Sequence, residues 1–397
     1  MESIFAGSAL GHAARTVKSV AGGTSHWPIL QSVQLKGMPD GIELNATDLE
    51  TWVSYRIDGL NPAPAAGTTA YVDTGTLASV TAKLKGSASV SLEPGALYIG
   101  AVSIPGIDAE TVAEYPTRPA TGSETPVYTG NGAQFKALVK RLRVTSLDER
   151  KTTRLQLCAV NVEFAGIDAS AGCTLCTTTG YVLSLETYGA PFTSDATRRA
   201  LIPTAALAKC GSAAGARDAV SISIAAGAVD AVSNQHAAPY AIVRILNAAG
   251  ALEYRIRCID EQFPDFRRII PGRDAKASFT VDAEQLERLI TDARAVANSS
   301  TEVVTLEILE AGFASTPGNW LQASSTSDRG SFCDRIRIEN LRSDAGIEPI
   351  SFNAGLLAAV AGFGDGSITL SRNGALQAMR IDFDADRVAV VMPLNLK

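Results

Sequence analysis

The sequence predicts an α+β protein that is built from three tandem, similar domains. Most of the chain outside its helical stretches alternates apolar and polar residues with a period of two, which is typical of strands with one buried face. Each third of the chain also contains two helical stretches, and helices that cover one side of antiparallel sheet form an α+β module. The length of 397 residues exceeds what one hydrophobic core usually serves, so two or three domains are expected.

One local design occurs three times in the chain. An extended segment meets a small polar residue and continues as an Ala/Leu-rich helix in TAYVDTGTLASVTAKL, RRALIPTAALAKC and IEPISFNAGLLAAV. The expected N-caps of these helices are Thr74, Thr204 and Asn353. Because the spacing between them is that of a domain and not of a solenoid repeat, we interpret the design as a threefold repeat of one module.

Two aromatic-proline pairs mark the expected domain boundaries. They lie in EYPTRP at 114–119 and in QFPDFRRIIP at 262–271. Proline biases the residue before it to extended geometry, as a linker between domains requires. The predicted domains are 1–120, 121–265 and 266–397, each of ordinary domain size.

Each domain is also expected to contain an earlier helix, and the one at 131–146 has a cationic face. Its apolar stripe consists of Phe135, Leu138, Val139 and Leu142. Lys136, Lys140 and Arg143 share the opposite face, and the segment contains no acidic residue. On one helix alone such a face is usually only a solvated surface, but equivalent helices around one opening would make a positive lining that contacts phosphates.

Composition and charge exclude several classes of protein. With 46% hydrophobic and 19% charged residues the chain is globular, neither disordered nor fibrous. A net charge of −6 means that a polyanion would have to meet a local basic surface. Six cysteines suit a reducing compartment, so the expected location is cytoplasmic. Neither an export signal nor a membrane-spanning stretch is visible, and no membrane partner is expected.

Catalysis, metals and cofactors have no strong candidate in the sequence. Cys173-x-x-Cys176 is the one paired cysteine motif, and it lies in a strand-like run. A zinc site would need further ligands, but the chain has only His12, His26 and His236. The sequence also lacks a P-loop, G-x-G-x-x-G, H-E-x-x-H and G-x-S-x-G. We therefore expect no catalytic residue, no metal and no cofactor, and an enzyme that uses Cys173 and Cys176 or scattered carboxylates is the weaker alternative.

Several segments resemble a known family. FPDFRRIIP (263–271) and the terminal VVMPLNLK (390–397) are the most specific, and TTGYVLSL (178–185), NATDLE (45–50), WPILQSVQLKG (27–37) and SFNAGLLAAV (351–360) accompany them. Together they resemble, in the same order, segments of the bacterial DNA polymerase III beta subunit, the sliding clamp. The resemblance extends from near the start of the chain to its last residue, and the divergence elsewhere indicates a distant member.

The resemblance implies three similar DNA-clamp domains per chain, each with two helices packed on antiparallel sheet, and a head-to-tail homodimeric ring that encircles double-stranded DNA. Its inner helices would be 8–21, 75–85, 131–146, 204–212, 282–297 and 354–363. The DNA-facing residues would be Arg15, Lys18, Lys83, Lys85, Lys136, Lys140, Arg141, Arg143, Lys209, Arg288 and Arg294. The implied function is that of a non-enzymatic processivity factor, and the implied protein partners are a DNA polymerase and a clamp-loader ATPase.

The resemblance also implies a hydrophobic cleft that binds short linear peptides of the partners. Its residues here would be Leu157, Thr178, Gly180, Leu183, Pro264, Arg268, Ile269, Leu376, Val390, Met392 and Leu394. Tyr181, Val182 and Asn395 depart from the family's pattern at the rim, which puts the peptide specificity in doubt. A second interpretation is a clamp-derived protein-interaction scaffold that does not encircle DNA, since 282–297 has mixed charge and 354–363 has no basic residue.

Overall fold

The computed structural model divides into two compact units. It describes residues 3–22, 27–60, 67–164, 172–189, 199–227, 238–310, 318–343, 348–374 and 376–395. The first unit comprises Met1–Val139 and Ala190–Asp260, and the second comprises Lys140–Gly189 and Glu261–Lys397. His26, His236 and the last two residues of VVMPLNLK lie outside the described residues. In the described ranges, no helix has the length and apolar character needed to cross a membrane.

A strand that runs directly into a helix is the repeating element of the fold. Among the described residues the helices are α1 (Gly7–Val20), α2 (Thr74–Thr81), α3 (Ala109–Val112), α4 (Gly132–Val144), α5 (Thr204–Ala213), α6 (Ala283–Val296) and α7 (Ala354–Ala361). Short 3-10 helices span Pro28–Gln31, Leu155–Cys158 and Arg267–Ile269.

The strands of the first half are β1 (Ser3–Ala6), β2 (Ser32–Met38), β3 (Gly41–Thr47), β4 (Thr51–Asp58), β5 (Thr69–Asp73), β6 (Ser87–Glu93), β7 (Ala96–Ile99), β8 (Val102–Pro105), β9 (Thr121–Asn131), β10 (Ala159–Glu163), β11 (Cys173–Thr178) and β12 (Val182–Tyr188). Those of the second half are β13 (Arg199–Pro203), β14 (Ala219–Gly227), β15 (Tyr240–Asn247), β16 (Gly250–Arg257), β17 (Ala277–Asp282), β18 (Val303–Leu309), β19 (Asn319–Ser327), β20 (Gly330–Ser343), β21 (Ile350–Asn353), β22 (Ser367–Arg372), β23 (Met379–Asp382) and β24 (Arg387–Val391). Among the described residues every fourth strand, from β1 to β21, leads without a break into a helix, and a βαβββ pattern occurs six times there. The three copies recognised in the sequence are the second, fourth and sixth repeats, which contain α2, α5 and α7.

Polar side chains fix where helices α6 and α7 begin. Asn353 caps α7 by accepting from the backbone N–H of Leu356, at 2.9 Å, as predicted. Asp282 caps α6 in the same way through the N–H of Gln285, also at 2.9 Å. Each cap satisfies one of the backbone donors that the first helical turn leaves free.

The other two predicted caps, Thr74 and Thr204, are wrong by one residue. Asp73 is the N-cap of α2, and its carboxylate accepts from the backbone N–H of Thr76 at 2.6 Å. Thr74 is already the first helical residue. Pro203 precedes α5 and has no side chain that could cap it, so Thr204 likewise lies inside its helix. At α2 the capping position is taken by Asp73 and not by Thr74, because a carboxylate accepts an amide proton more strongly than a hydroxyl does.

Strand order in the first unit places α1 over the middle of a sheet. Its eight-stranded sheet has the order β5-β2-β3-β4-β16-β15-β14-β9, and a four-stranded sheet has the order β1-β6-β7-β8. Helix α1 packs on β3, β4, α2 and α5. Leu10, Ala14 and Val17 are buried, as the sequence predicts, and Tyr55 of β4 is 1% exposed beneath them.

The second unit packs α6 and α7 against its own sheet. The hydrogen-bonded order of its strands is β10-β11-β12-β24-β23-β22-β17-β20-β19-β18-β21. All pairs whose register is described, in both units, are antiparallel. Leu286 and Ile290 of α6 and Leu357 of α7 lie in one apolar cluster with strand residues such as Phe279 and Phe352. This core is on the helical side of the sheet.

Two predicted elements differ from the structure. The period-two pattern of 153–164 predicts one strand, but Leu155–Cys158 forms a 3-10 helix and the strand begins only at Ala159. Helix 75–85 is predicted too long, since α2 ends at Thr81. There the amides of Lys83 and Leu84 turn back to carbonyls three residues earlier, and Gly86 has a φ of +68°, a left-handed value that glycine adopts without strain.

Candidate functional site

Five of the described helices contain no acidic residue. Helices α1, α2, α4 and α5 lack both Asp and Glu, in a chain that has 41 acidic residues. Helix α7 has no charged residue at all, and α6 contains Glu284, Glu287 and Asp292 beside two arginines. The acidic residues that give the chain its net negative charge are therefore absent from these five helices.

Seven basic side chains on or next to three of these helices, α1, α2 and α4, are exposed. In the described ranges none of them has a carboxylate within salt-bridge distance. They are Arg15, Lys18, Lys83, Lys85, Lys136, Lys140 and Arg143. On α4, Lys136, Lys140 and Arg143 lie on the solvent side of the helix, while its apolar stripe is buried. Lys83 and Lys85 follow α2 in the turn and not on the helix. Unpaired exposed cations are the groups that can exchange a counterion for a phosphate.

His12 adds no charge to the exposed face of α1. Its Nδ1 lies 3.0 Å from the hydroxyl of Tyr55, and the ring is half-buried. Burial, with the nearby Arg15 cation, lowers the pKa of His12 below its ordinary value of 6.5. The imidazole is consequently neutral at neutral pH, and the charge of this face comes from Arg15 and Lys18.

Arg141 lies on α4 but is engaged inside the second unit. Its guanidinium donates to both carboxylate oxygens of Glu186, with Nε to Oε1 at 2.6 Å and Nη2 to Oε2 at 2.9 Å. The Glu186 side chain is 2% exposed, and the hydroxyl of Tyr188 donates to it as well. A bidentate pair in this setting holds both side chains in place. Arg141 therefore has no free donor face of the kind that the exposed cations have.

Three other cations on the DNA-facing list also have acidic partners. The ion pairs are Lys209–Asp48 at 3.1 Å, Arg294–Glu302 at 2.7 Å and Arg288–Asp292 at 4.0 Å. Lys209 and Asp48 belong to the first unit, and the other two pairs belong to the second. Asp48 is 161 residues from Lys209, and Glu302 follows Arg294 by eight residues, beyond the end of α6, so helical spacing alone reveals neither partner.

The floor of the candidate cleft is formed by three neighbouring strands of the second unit. In register, Thr178 of β11 lies opposite Leu183 of β12, and Leu183 lies opposite Val390 of β24. The adjacent pair, Val182 and Val391, belongs to the apolar core on the helical side. Because side chains alternate along a strand, Leu183 and Val390 lie on the opposite face of the sheet.

The segment 263–271 lies over this same face. Arg267 reaches Glu163 of β10, with 2.6 Å between Nη2 and Oε2, and Glu163 is in register with residues of that face. The rings of Phe263 and Phe266 contact each other and are buried. Arg380 donates to the carbonyl oxygen of Pro271 at 3.0 Å, which fixes the far end of the segment. The segment is therefore attached to the sheet at its middle and at its far end.

The predicted floor residues of the candidate cleft are buried, and the exposed apolar side chains are other residues nearby. Leu183 and Val390 are each 1% exposed, and Leu157 is 5% exposed. Met392, whose backbone N–H donates to the carbonyl oxygen of Tyr181 at 2.8 Å, is 36% exposed. Other exposed large apolar residues of the second unit are Leu155, Tyr181, Ile269 and Leu376.

The remaining cleft residues of the prediction occupy varied positions. Gly180 turns the chain between β11 and β12 with a φ of +91°, and Pro264 is exposed. Arg268 pairs with Asp265 at 2.9 Å in an exposed position. The backbone N–H of Leu394 donates to Ser351 of β21. At the rim Val182 is buried, whereas Tyr181 and Asn395 are exposed.

Leu155 and Tyr181 were missed as accessible apolar residues. Leu155 is 45% exposed and Tyr181 is 66% exposed. The sequence signal for Leu155 was a period-two strand pattern shared with Leu157, which the 3-10 helix breaks. Tyr181 follows Gly180 in the turn, where a large apolar side chain has no neighbouring strand to cover it.

Cys173 and Cys176 are core residues of β11. Both are 0% exposed, as the strand interpretation predicts, and burial raises the pKa of the Cys173 thiol to about 12. Burial also raises the pKa of Cys176. In the described residues no three His, Cys, Asp or Glu side chains are grouped so that they could hold a metal ion. Both thiols are protonated at neutral pH and shielded, which suits packing and not reactivity.

We expect Cys173 and Cys176 to be inert to Ellman's reagent in the native protein at pH 8. The exposed Cys333 is first replaced by serine, Cys333→Ser, so that the remaining five thiols are buried ones. Absorbance should then show no rapid thiol release from the native variant and full release in guanidinium chloride. Rapid modification of Cys173 or Cys176 in the native variant, located by mass spectrometry, would contradict the core assignment.

Solved structures with the same fold match the whole chain. The DNA polymerase III subunit beta from Pseudomonas aeruginosa gives a TM-score of 0.77 at 18% sequence identity, and the DNA polymerase sliding clamp from Bacillus subtilis gives 0.79 at 18%. The DNA polymerase III beta subunit from Thermotoga maritima gives 0.74 at 18%. Each match covers 100% of both chains. The chain has the sliding-clamp fold.

The clamp fold confirms the predicted α+β class and explains the repeated strand-helix design. A sliding clamp from Pseudomonas aeruginosa with this fold has also been solved bound to griselimycin, with a TM-score of 0.78 at 17% identity. No protein-family model matches this sequence, and neither does any curated protein. The clamp fold is thus retained at an identity at which few individual residues are shared, because the fold depends on the pattern of buried positions.

Proposed function

We propose that the protein is a DNA sliding clamp, a processivity factor without catalytic activity of its own that encircles duplex DNA and tethers a DNA polymerase. The observation that carries this proposal is the occurrence, on a chain with the clamp fold, of five helices that contain no acid. Seven exposed cations without a salt-bridge partner in the described residues accompany three of these helices, α1, α2 and α4, in a protein whose net charge is −6. Such a concentration of positive charge is what an acidic protein needs in order to hold a polyanion.

The mechanism follows from topology and not from tight binding. A closed ring around DNA cannot leave sideways, even when each phosphate contact is weak and exchanges. Weak contacts also leave the ring free to slide. Non-specific attraction to phosphates, with dissociation constants of about 10⁻⁴ to 10⁻⁶ M, is sufficient for that purpose. Lysine and arginine contacts to the backbone carry no sequence information, so the ring would follow any duplex.

Ring closure by two chains needs two complementary free edges. Within the described residues β8 pairs with β7 alone, and Val102 on it is 43% exposed. Strand β20 pairs with β19 over 330–338 and with β17 from Glu339 onward, so in the described residues the other edge of 331–338 has no strand partner. Unpaired strand edges readily accept another strand. We place β8 of one protomer next to β20 of its partner, in a head-to-tail dimer of three-domain chains bounded at about 120 and 265.

The partners of such a ring are a DNA polymerase, which would dock a short linear peptide in the cleft, and a clamp-loader ATPase. A loader is required because an interlocked ring must be opened before it can surround circular DNA. In the cleft, the exposed Met392, Ile269 and Leu376 would contact an apolar anchor of the peptide. The buried Leu183 and Val390 would support them from below, as residues around a hot spot commonly do.

Retention on circular DNA tests the proposal. After loading onto nicked circular plasmid with a bacterial clamp loader and ATP, the protein should stay with the plasmid during gel filtration. Cutting the plasmid once should release it, because a ring slides off a free end. Light scattering at micromolar concentration should give twice the 41.4 kDa mass of one chain. A monomer that leaves circular and linear DNA equally fast would favour the scaffold interpretation instead.

A further inference from the structure

The side chain of Trp27 is held on the surface by a rigid turn. It is 54% exposed, although Ile29 and Leu30, which follow it in the same turn, are 1% and 3% exposed. Trp27 precedes the 3-10 helix Pro28–Gln31, and its carbonyl oxygen accepts from the N–H of Leu30 at 3.1 Å. The ring of Pro28 fixes the backbone here and biases Trp27 to extended geometry. The indole is therefore presented to water while the turn behind it is anchored in the core.

This turn is joined to the end of helix α1. The N–H of Gly22, two residues after the last residue of α1, donates to the carbonyl oxygen of Leu30 at 2.9 Å. Lys18 lies in the last turn of α1, Arg15 lies three residues before it, and both side chains are exposed. Trp27 therefore lies at the end of a helix that carries exposed cations.

The charges around the turn leave it positive. Residues 3–39 contain neither Asp nor Glu. Strand pairing brings Asp73 to this end of the unit, in register with Ser32, the residue that follows the 3-10 helix. The Asp73 carboxylate is engaged as the cap of α2, where it accepts from the N–H and the hydroxyl of Thr76 at 2.6 and 2.7 Å. Lys18 interacts with it electrostatically, but not within salt-bridge distance in the described residues. One carboxylate thus offsets only one of the two cations.

Trp27 does not belong to an apolar patch of the kind that docks a protein. Among the described residues between 5 and 59 it is the one large apolar side chain that is exposed. Protein-docking surfaces present several contiguous apolar residues. A single indole can nevertheless use its whole flat face against one base of a nucleic acid, since every base has a π-face on which an aromatic ring stacks.

An unpaired base is the partner that fits this arrangement. Inside a duplex the neighbouring base pairs cover both faces of every base, so a side chain can stack only where the strand is single. Proteins that bind single strands without sequence preference combine aromatic side chains, which stack on bases, with cations that contact the backbone. Trp27 supplies the ring, and Arg15 and Lys18 supply the cations.

We propose that Trp27 stacks on an unpaired base of single-stranded DNA while Arg15 and Lys18 contact phosphates of the same strand. The inference rests on the proposed DNA-binding function and adds a second form of DNA to its ligands. A ring that slides along duplex DNA would be held where the duplex passes into single-stranded template, because only there does a base become available to Trp27.

The test follows the fluorescence of Trp27 alone. The double variant Trp52→Phe, Trp320→Phe leaves Trp27 as the remaining tryptophan. These replacements strand no hydrogen-bond acceptor, since neither indole N–H has a partner in the described residues. Decathymidylate should quench the emission in a saturable manner at low salt. An abasic oligomer of the same length has the same phosphates, yet it should not quench and should bind at least about tenfold more weakly, a difference of about 1.4 kcal/mol.

Variants of Trp27 separate stacking from charge. In the otherwise unmodified protein, Trp27→Ala should weaken binding of labelled decathymidylate at least about tenfold, measured by fluorescence anisotropy, whereas Trp27→Phe keeps an aromatic face and should stay within about threefold. Tyr98→Ala removes another exposed ring of the first unit and, as the matched control, should leave the affinity unchanged. Thermal unfolding shows that each variant is folded.

Two results would overturn the proposal: equal binding of the thymidylate and abasic oligomers, or an unchanged thymidylate affinity in Trp27→Ala. The titration requires neither a loader nor a closed ring. It can therefore succeed when retention on circular plasmid fails, and it can fail when retention succeeds, so the two proposals are judged separately.

Discussion

Replacing Lys136, Lys140 and Arg143 together with glutamate is expected to reduce the fraction of protein retained on circular plasmid at least about tenfold. These three side chains share the exposed face of α4, and the described residues place no carboxylate near enough to pair with them. Each phosphate contact that is lost removes the release of about one counterion, and the new carboxylates repel the backbone. The salt dependence of retention should become correspondingly less steep.

The matched control carries the same change of net charge on other exposed residues. Lys36→Glu, Arg273→Glu and Lys276→Glu in one variant should retain DNA as the unmodified protein does, since none of the three lies on β8 or β20. Thermal unfolding shows whether the α4 variant is folded, and the neutral replacements Lys136→Gln, Lys140→Gln and Arg143→Gln provide a milder version. Equal retention by the α4 variant and its control would remove this face from the DNA-binding surface.

Met392→Glu is expected to weaken binding of a polymerase-derived peptide at least about thirtyfold, which corresponds to the loss of a hot spot worth about 2 kcal/mol. Met392 is 36% exposed beside the turn at Tyr181, at the end of the strand that supplies Val390 to the floor. A carboxylate there would have to be desolvated against an apolar peptide anchor, and nothing in the floor compensates it. Fluorescence polarisation with a labelled peptide from the host's replicative polymerase measures the effect.

The control for this prediction is Leu246→Glu. Leu246 is 56% exposed and lies in the first unit, on β15, so its replacement adds the same charge away from the cleft. The molecular mass in solution should be the same for both variants, since neither residue lies on β8 or β20. A peptide affinity that survives Met392→Glu would place the docking site elsewhere.

Helix positions were largely predictable because they depend on local chemistry. The apolar stripe of α4 fixes which residues are buried, and caps such as Asp282 fix where a helix starts. The two wrong predictions, of a helix cap and of a strand, also concern interactions between residues that are close in sequence. Asp73 is a stronger cap than Thr74, and the alternating pattern at Leu155–Cys158 is equally compatible with a single 3-10 turn. Sequence period alone does not distinguish those two conformations over four residues.

The candidate cationic surface was predicted only in part. Arg143 and Arg141 are two residues apart on one helix, yet Arg143 is exposed and Arg141 is bound to Glu186. The separation of 45 residues between Arg141 and Glu186 carries no periodic signal. The same holds for Lys209, whose partner Asp48 is 161 residues away. Ion pairs of this kind form when strands and helices pack, and they decide which cations stay free.

The sequence by itself determined the α+β class, the repeated strand-helix design, the acid-free helices and the burial of Cys173 and Cys176. These properties follow from side-chain period, capping and composition, which act over a few residues. Tertiary structure alone decided the strand order, the division of the cleft into buried floor and exposed rim, and the partners of Arg141 and Lys209. Those features depend on contacts between residues that are far apart along the chain, and such contacts leave no local pattern from which they could be predicted.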